Sequence, residues 1–162
     1  MSLKTRLNVE LDRLATVGLG NAPAALAIDV DSGRLECTLV AVDQLACAFE
    51  QLAHHAPALD QATMEELSRI AAGLSKRLSY LLESISPVET DSKGCVVQMR
   101  SNPPHKDDDG TSYYELVVRR GEISLCRYSK SSGQSRRIIP AHVTREVFYR
   151  LAQDLVSTSI GS

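Results

Sequence analysis

Between Val88 and Ile139 the chain reads as five short runs of β-type residues, none longer than eight, set off by turn signals. The runs are Val88 to Asp91, Cys95 to Arg100, Tyr113 to Arg120, Glu122 to Ser129 and Arg136 to Ile139. Ser92-Lys93-Gly94, the polar stretch Pro103 to Gly110, Gly121 and Ser131-Ser132-Gly133-Gln134 connect them. Strands spaced this closely predict an antiparallel meander of four or five strands.

Before Pro87 the period is mostly helical. Leu3, Leu7, Leu11, Leu14 and Val17 recur at steps of three and four, which lines one helical stripe, and Ser2 is its N-cap. Gly18, Gly20 and Pro23 end that helix. Two apolar runs, Leu26 to Val30 and Leu35 to Val42, flank Asp31-Ser32-Gly33-Arg34 and read as a β-hairpin. Asp43 is then placed to cap a second helix carrying Leu45, Phe49 and Leu52, ending at His54-His55-Ala56-Pro57. Thr63 and Glu66 have capping-box spacing, and Leu67, Ile70, Leu74, Leu78, Leu81 and Ile85 extend a third helix. Thr144 caps a last helix carrying Val147, Phe148, Leu151, Ala152 and Leu155. The expected class is α+β: an N-terminal helix, a β-hairpin and two helices, then the meander, closed by the C-terminal helix.

At 162 residues the chain fits a single domain, with an acidic helical and hairpin half (1–86) and a basic β-meander and helix half (87–158). The net charge of -2 hides that division. Residues 1–92 hold seven Lys/Arg against thirteen Asp/Glu, whereas residues 113–150 hold eight against three. Such a split marks either an anion-binding half or two halves that attract each other. No apolar run approaches the ~20 residues that span a bilayer, so no membrane partner is expected. The first residues mix charges into apolar positions and lack a secretory core, which makes the expected location cytoplasmic.

Motifs for chemistry fail one by one. Cys37, Cys47, Cys95 and Cys126 stand singly, without the short spacing that builds zinc or redox sites, and read as unpaired packing residues. Gly18-x-Gly20-x-x-Pro23 follows a helix and lacks the third glycine of a dinucleotide loop. The acidic turn His105 to Gly110 lacks the first and last ligands of a calcium loop. His54 and His55, read as a helix end, point roughly 100° apart and cannot chelate one ion. No nucleophile stands in a motif with a base. We therefore expect no catalytic residue, no metal and no cofactor.

One constellation carries a functional expectation. If the chain turns at Arg120-Gly121 or Gly121-Glu122, alternation puts Tyr114, Leu116, Val118, Ile123 and Leu125 on the core face. Tyr113, Glu115, Val117, Arg119, Ser124, Cys126 and Tyr128 then share the opposite face. Tyrosines beside arginines on an open sheet can stack unpaired bases while guanidinium neutralises phosphate. This singles out Tyr113, Arg119, Tyr128, Arg136 and Arg137 as nucleic-acid contacts.

The segment Leu116 to Tyr128, through Arg136-Arg137-Ile138-Ile139 to Val143 to Leu151, resembles the β4-α unit of single-stranded-nucleic-acid-binding transcriptional coactivators and Pur-alpha-type proteins. The resemblance implies strands ending in a basic loop, a capped helix, and dimerisation of two units. The competing expectation is a small acidic dimer, similar in class to bacterial secretion chaperones, that recognises a protein through an exposed strand or helix groove. Both readings expect a non-enzymatic binding domain and a homodimer, since a meander leaves an edge to cover.

Overall fold

Each α-helix among the described residues begins where a side chain satisfies one of its free amides. In α1 (Leu3–Val17) the Thr5 N–H donates to Ser2 Oγ at 3.1 Å. In α2 (Met64–Arg77) the Glu66 N–H donates to Thr63 Oγ1 at 3.1 Å. In α3 (Arg145–Ser157) the Val147 N–H donates to Thr144 Oγ1 at 3.2 Å. The computed structural model describes residues 1–157; residue 158, the end assigned to the basic half, lies outside the described residues. α2 is shorter than its apolar period suggests. A 3₁₀ turn at Leu78–Leu81 and Leu82, at φ 64°, redirect the chain, so Ile85 opens a strand instead of closing the helix.

Ten strands form one antiparallel sheet among the described residues. They are β1 (Ala24–Val30), β2 (Gly33–Val42), β3 (Ala46–His55), β4 (Ile85–Asp91) and β5 (Val96–Ser101), then β6 (His105–Asp107), β7 (Gly110–Arg119), β8 (Glu122–Lys130), β9 (Arg137–Ile139) and β10 (Ala141–Thr144). The order is β1-β2-β3-β8-β7-β5-β4, with β10 on β3, β6 on β7 and β9 on β8. The hairpin, the meander and both terminal helices are as the sequence predicts, and the class is α+β.

The helix predicted from the Asp43 cap to the His54-His55-Ala56-Pro57 break is instead the central strand β3. Its helix-like spacing has a local cause. Thr38 pairs with Gln51 and Leu39 with Phe49, so Glu50 is an extra residue that shifts the alternation by one. Phe49 and Leu52, three apart, therefore both face the core of a strand. Asp43 caps a turn rather than a helix, its Oδ1 accepting the Leu45 and Ala46 N–H groups at 2.8 Å each. His54 and His55, read as a helix end, are strand neighbours on opposite faces of the sheet. The acidic turn at Asp107–Gly110 joins β6 to β7, with Asp107 Oδ1 accepting the Asp109 N–H at 2.9 Å.

All three helices pack on one face: α1 on β1 and β2, α3 on β3, α2 on β5 and β7. One row of cross-strand partners, Leu26, Cys37, Leu52, Leu125, Leu116 and Met99, runs buried beneath them. Phe49 meets Phe148 of α3 with centroids 5.9 Å apart. Arg145, only 6% exposed, ties the helical layer to the sheet. Its Nη1 donates to Asp12 Oδ1 of α1 at 2.6 Å and its Nε to the Asp43 carbonyl at 2.9 Å.

His54 lies fully buried on the helical side, its Nε2 3.1 Å from Ser32 Oγ. Burial pulls its pKa down, and the opposing backbone bond to Leu155 does not compensate. In the unfolded chain the same imidazole takes a proton below about pH 6.5. The histidine thus costs the native state nothing above that pH and destabilises it as pH falls toward the lowered folded value. Urea midpoints from pH 7.5 to 5 should show His54→Gln with the shallower acid slope, the difference being at most about 1.4 kcal/mol per pH unit.

Candidate functional site on the open face of the sheet

The face turned away from the helices is built in rows, because cross-strand neighbours line up side by side. A middle row, Ala27, Glu36, Ala53, Ser124, Val117 and Gln98, is mostly small. On the side of the Gly121 turn the row Asp29, Arg34, His55, Glu122 and Arg119 mixes acidic and basic side chains. His55 bridges it, with Nε2 3.1 Å from Glu36 and Nδ1 3.4 Å from Glu122. On the other side Glu115 and Arg100 stand opposite each other.

The Arg120-Gly121 turn forms as read, with Gly121 at φ 77°, and the predicted core and outer faces of β7 and β8 are the observed ones. Tyr113 and Tyr128 are direct cross-strand partners with ring centroids 6.0 Å apart. Their rings are already covered. The Arg136 guanidinium sits 4.0 Å from the Tyr128 centroid and that of Arg100 lies 5.2 Å from Tyr113, leaving Tyr113 only 8% exposed. Both guanidiniums converge on Glu115 Oε1, at 2.8 Å from Arg136 Nη1 and 3.2 Å from Arg100 Nε, and Gln98 donates to the same oxygen.

Glu115 is 5% exposed. Burial pushes its pKa up, but the hydrogen bonds from Arg136 and Gln98, the Arg136 charge and the Arg100 bond outweigh it and hold the carboxyl below its ordinary value. Cys126 lies on this face rather than in the core, and burial with the nearby Glu115 charge pushes its thiol up to about 11. It is a protonated thiol at neutral pH, not a thiolate nucleophile.

Of the five predicted contacts, Tyr113, Tyr128 and Arg136 come together. Arg119 stands exposed at the other end of β7, about 20 Å along the strand. Arg137 is exposed on β9, opposite Ser129, and makes no ion pair among the described residues. Sequence reasoning missed Arg100 and the bridging role of Glu115. Both lie in recognised strands, but only the register between β5 and β7 brings them together. No protein-family model, curated protein or solved structure matches this chain.

Glu115→Gln should destabilise the fold by about 1–2 kcal/mol in urea titrations near pH 7. The loss stays at the lower end for a buried ion pair because the Arg100 and Arg136 side chains are 38% and 36% exposed. A depressed carboxyl contributes its stability above the ordinary value near 4.5, and that contribution disappears as pH falls through the folded value. The gap between wild type and variant should therefore narrow as pH falls below about 4.5.

Proposed function

We propose that the chain is a non-enzymatic protein-binding module, similar in class to bacterial secretion chaperones, that takes an extended segment of its partner along β1. The contrast between the two sheet edges carries this reading. β4, at one edge, is defended: Pro87 offers no N–H, a bulge follows it, and Glu89 and Asp91 are exposed charges. β1, at the other edge, has none of these devices over Ala24-Ala25-Leu26-Ala27-Ile28, and no strand covers its outer side among the described residues. Unpaired backbone groups over these five residues, ahead of the exposed Asp29, are a template for strand addition.

Side chains of an added strand would alternate between the core margin beside Leu26 and Ile28 and the open face beside Ala25 and Ala27. There a groove of about 330 Å³, floored by Ala25, Ala27 and Ala53 with Glu36 and Thr38 beside them, has room for a large side chain. The single-stranded nucleic-acid reading draws support from the tyrosine pair, but a base would first have to displace Arg136 from Tyr128.

The test is fluorescence anisotropy with a panel of labelled seven-residue peptides of alternating apolar and polar residues, alongside labelled octathymidylate at low salt. Peptide binding should weaken at least about tenfold, or about 1.4 kcal/mol, in Ala27→Lys, with circular dichroism unchanged. Binding of the oligonucleotide and of no peptide would overturn the reading. A second copy is the competing occupant, since antiparallel self-pairing about Ala27 sets Leu26 against Ile28 and Asp29 against Ala25. Light scattering near twice 17.7 kDa that falls to the monomer mass in Ala27→Lys identifies that dimer.

A further inference from the structure

At the other end of the open face, Arg100, Tyr113, Lys130, Gln134, Ser135 and Arg136 line a shallow pocket of about 560 Å³. We propose that this pocket binds a phosphate monoester or free phosphate in its dianionic form. The inference is independent of strand addition at β1.

Charge is the first support. Three cations line the pocket, and the one carboxylate beneath it, Glu115, pairs with two of them, leaving a surplus of two positive charges. A phosphate monoester carries close to two negative charges at neutral pH, whereas a phosphodiester carries one. The acidic turn Asp107 to Asp109 adjoins the pocket wall, the Ser131 hydroxyl donating to the Asp109 carbonyl at 3.1 Å, but its carboxylates do not line the pocket.

Preorganisation is the second. Glu115 fixes each guanidinium by one N–H, and the Arg136 guanidinium also rests against the Tyr128 ring at 4.0 Å. A guanidinium has five N–H donors in a planar fork, so most of each fork remains uncommitted. The two Nη groups of Arg100 and the Lys130 ammonium have no acceptor among the described residues. Forks held in place from below can bind a tetrahedral oxyanion bidentately without first being ordered.

The loop geometry is the third. Gln134 N–H closes a turn onto the Ser131 carbonyl at 3.1 Å, and Gly133, at φ 76°, has nothing within 4 Å of its missing Cβ. The loop therefore leaves its side of the pocket open, with the Ser135 hydroxyl and Gln134 amide as further donors. The space exceeds a bare phosphate, which leaves room for the group that carries it.

Isothermal titration of the full chain at pH 7.5, in chloride-matched buffer, would use inorganic phosphate, a phosphoserine peptide with its unphosphorylated control, and octathymidylate without a terminal phosphate. Saturable binding of phosphate or phosphopeptide is expected. Arg100→Gln should weaken it at least about tenfold through loss of a charge-assisted contact. Lys130→Gln should act in the same direction, and because Lys130 is exposed this variant keeps the fold intact. Affinity should also fall at pH 5, where the second charge is lost. Equal affinity for free ion and phosphopeptide would identify the ion as ligand, and tighter phosphopeptide binding would identify a phosphorylated side chain. Ala27→Lys should change neither. The proposal is overturned by no saturable phosphate or phosphopeptide binding, by wild-type affinity in both pocket variants, or by octathymidylate binding more tightly than the phosphopeptide.

Discussion

The structure depends on the pairing of β3 with β8, where Gln51 to His55 lie antiparallel to Glu122 to Cys126. This contact joins two segments some 70 residues apart into one sheet. Without it only the four-residue β10 would tie β1, β2 and β3 to the meander, and each unit would have another edge and an uncovered apolar face. Because Leu52 faces Leu125 and Ala53 faces Ser124, the join also sorts faces for the whole sheet. Apolar residues on both sides of it point to α1, α2 and α3, and small or charged residues point away. The bulge at Glu50 lets β3 satisfy this pairing while keeping Phe49 on the same core under α3.

The charge asymmetry takes on a definite meaning in this frame. The basic half does not present a basic face; its arginines are distributed. Arg127 pairs with Glu83 at 3.0 Å and Arg145 with Asp12 at 2.6 Å, both binding the acidic half, and Arg120 donates to the Ala62 carbonyl at 2.9 Å. Arg150 covers the ring of Tyr80 at 4.1 Å. Much of the opposition between halves is thus consumed as attraction across the fold. What remains is local: a mosaic row near Gly121 and a cationic pocket over Glu115.

Legibility follows the range of the interaction. Helix starts at Ser2, Thr63 and Thr144 were readable because a cap acts over three residues, and the two faces of β7 and β8 were readable because Arg120-Gly121 fixes their register. β3 was misread because a bulge imitates helical spacing over the few residues available, and its true partners lie far along the chain. The candidate site failed for the same reason. Tyr113 and Tyr128 belong to one hairpin and were found together. Arg100 comes from β5, across the β6 excursion, and its arrival beside Tyr113 is a matter of sheet order.

Sheet geometry also limits how the edge and the pocket can cooperate. β1 and β7 are four strand spacings apart, about 19 Å at ~4.8 Å each. A partner segment added to β1 runs along the strands one spacing further out, so it stays four spacings, about 19 Å, from Lys130 on β8 and six, about 29 Å, from Arg100 on β5. To reach the pocket the same chain must turn through about a right angle and cross the sheet, which at about 3.4 Å per residue takes at least about six further residues. The row Ala27, Glu36, Ala53, Ser124 and Val117, small apart from Glu36 and Val117, is the path such a crossing would follow. If both proposed sites bind, a short peptide would therefore reach one of them but not both, and only a longer segment would gain from the raised effective concentration of a second contact.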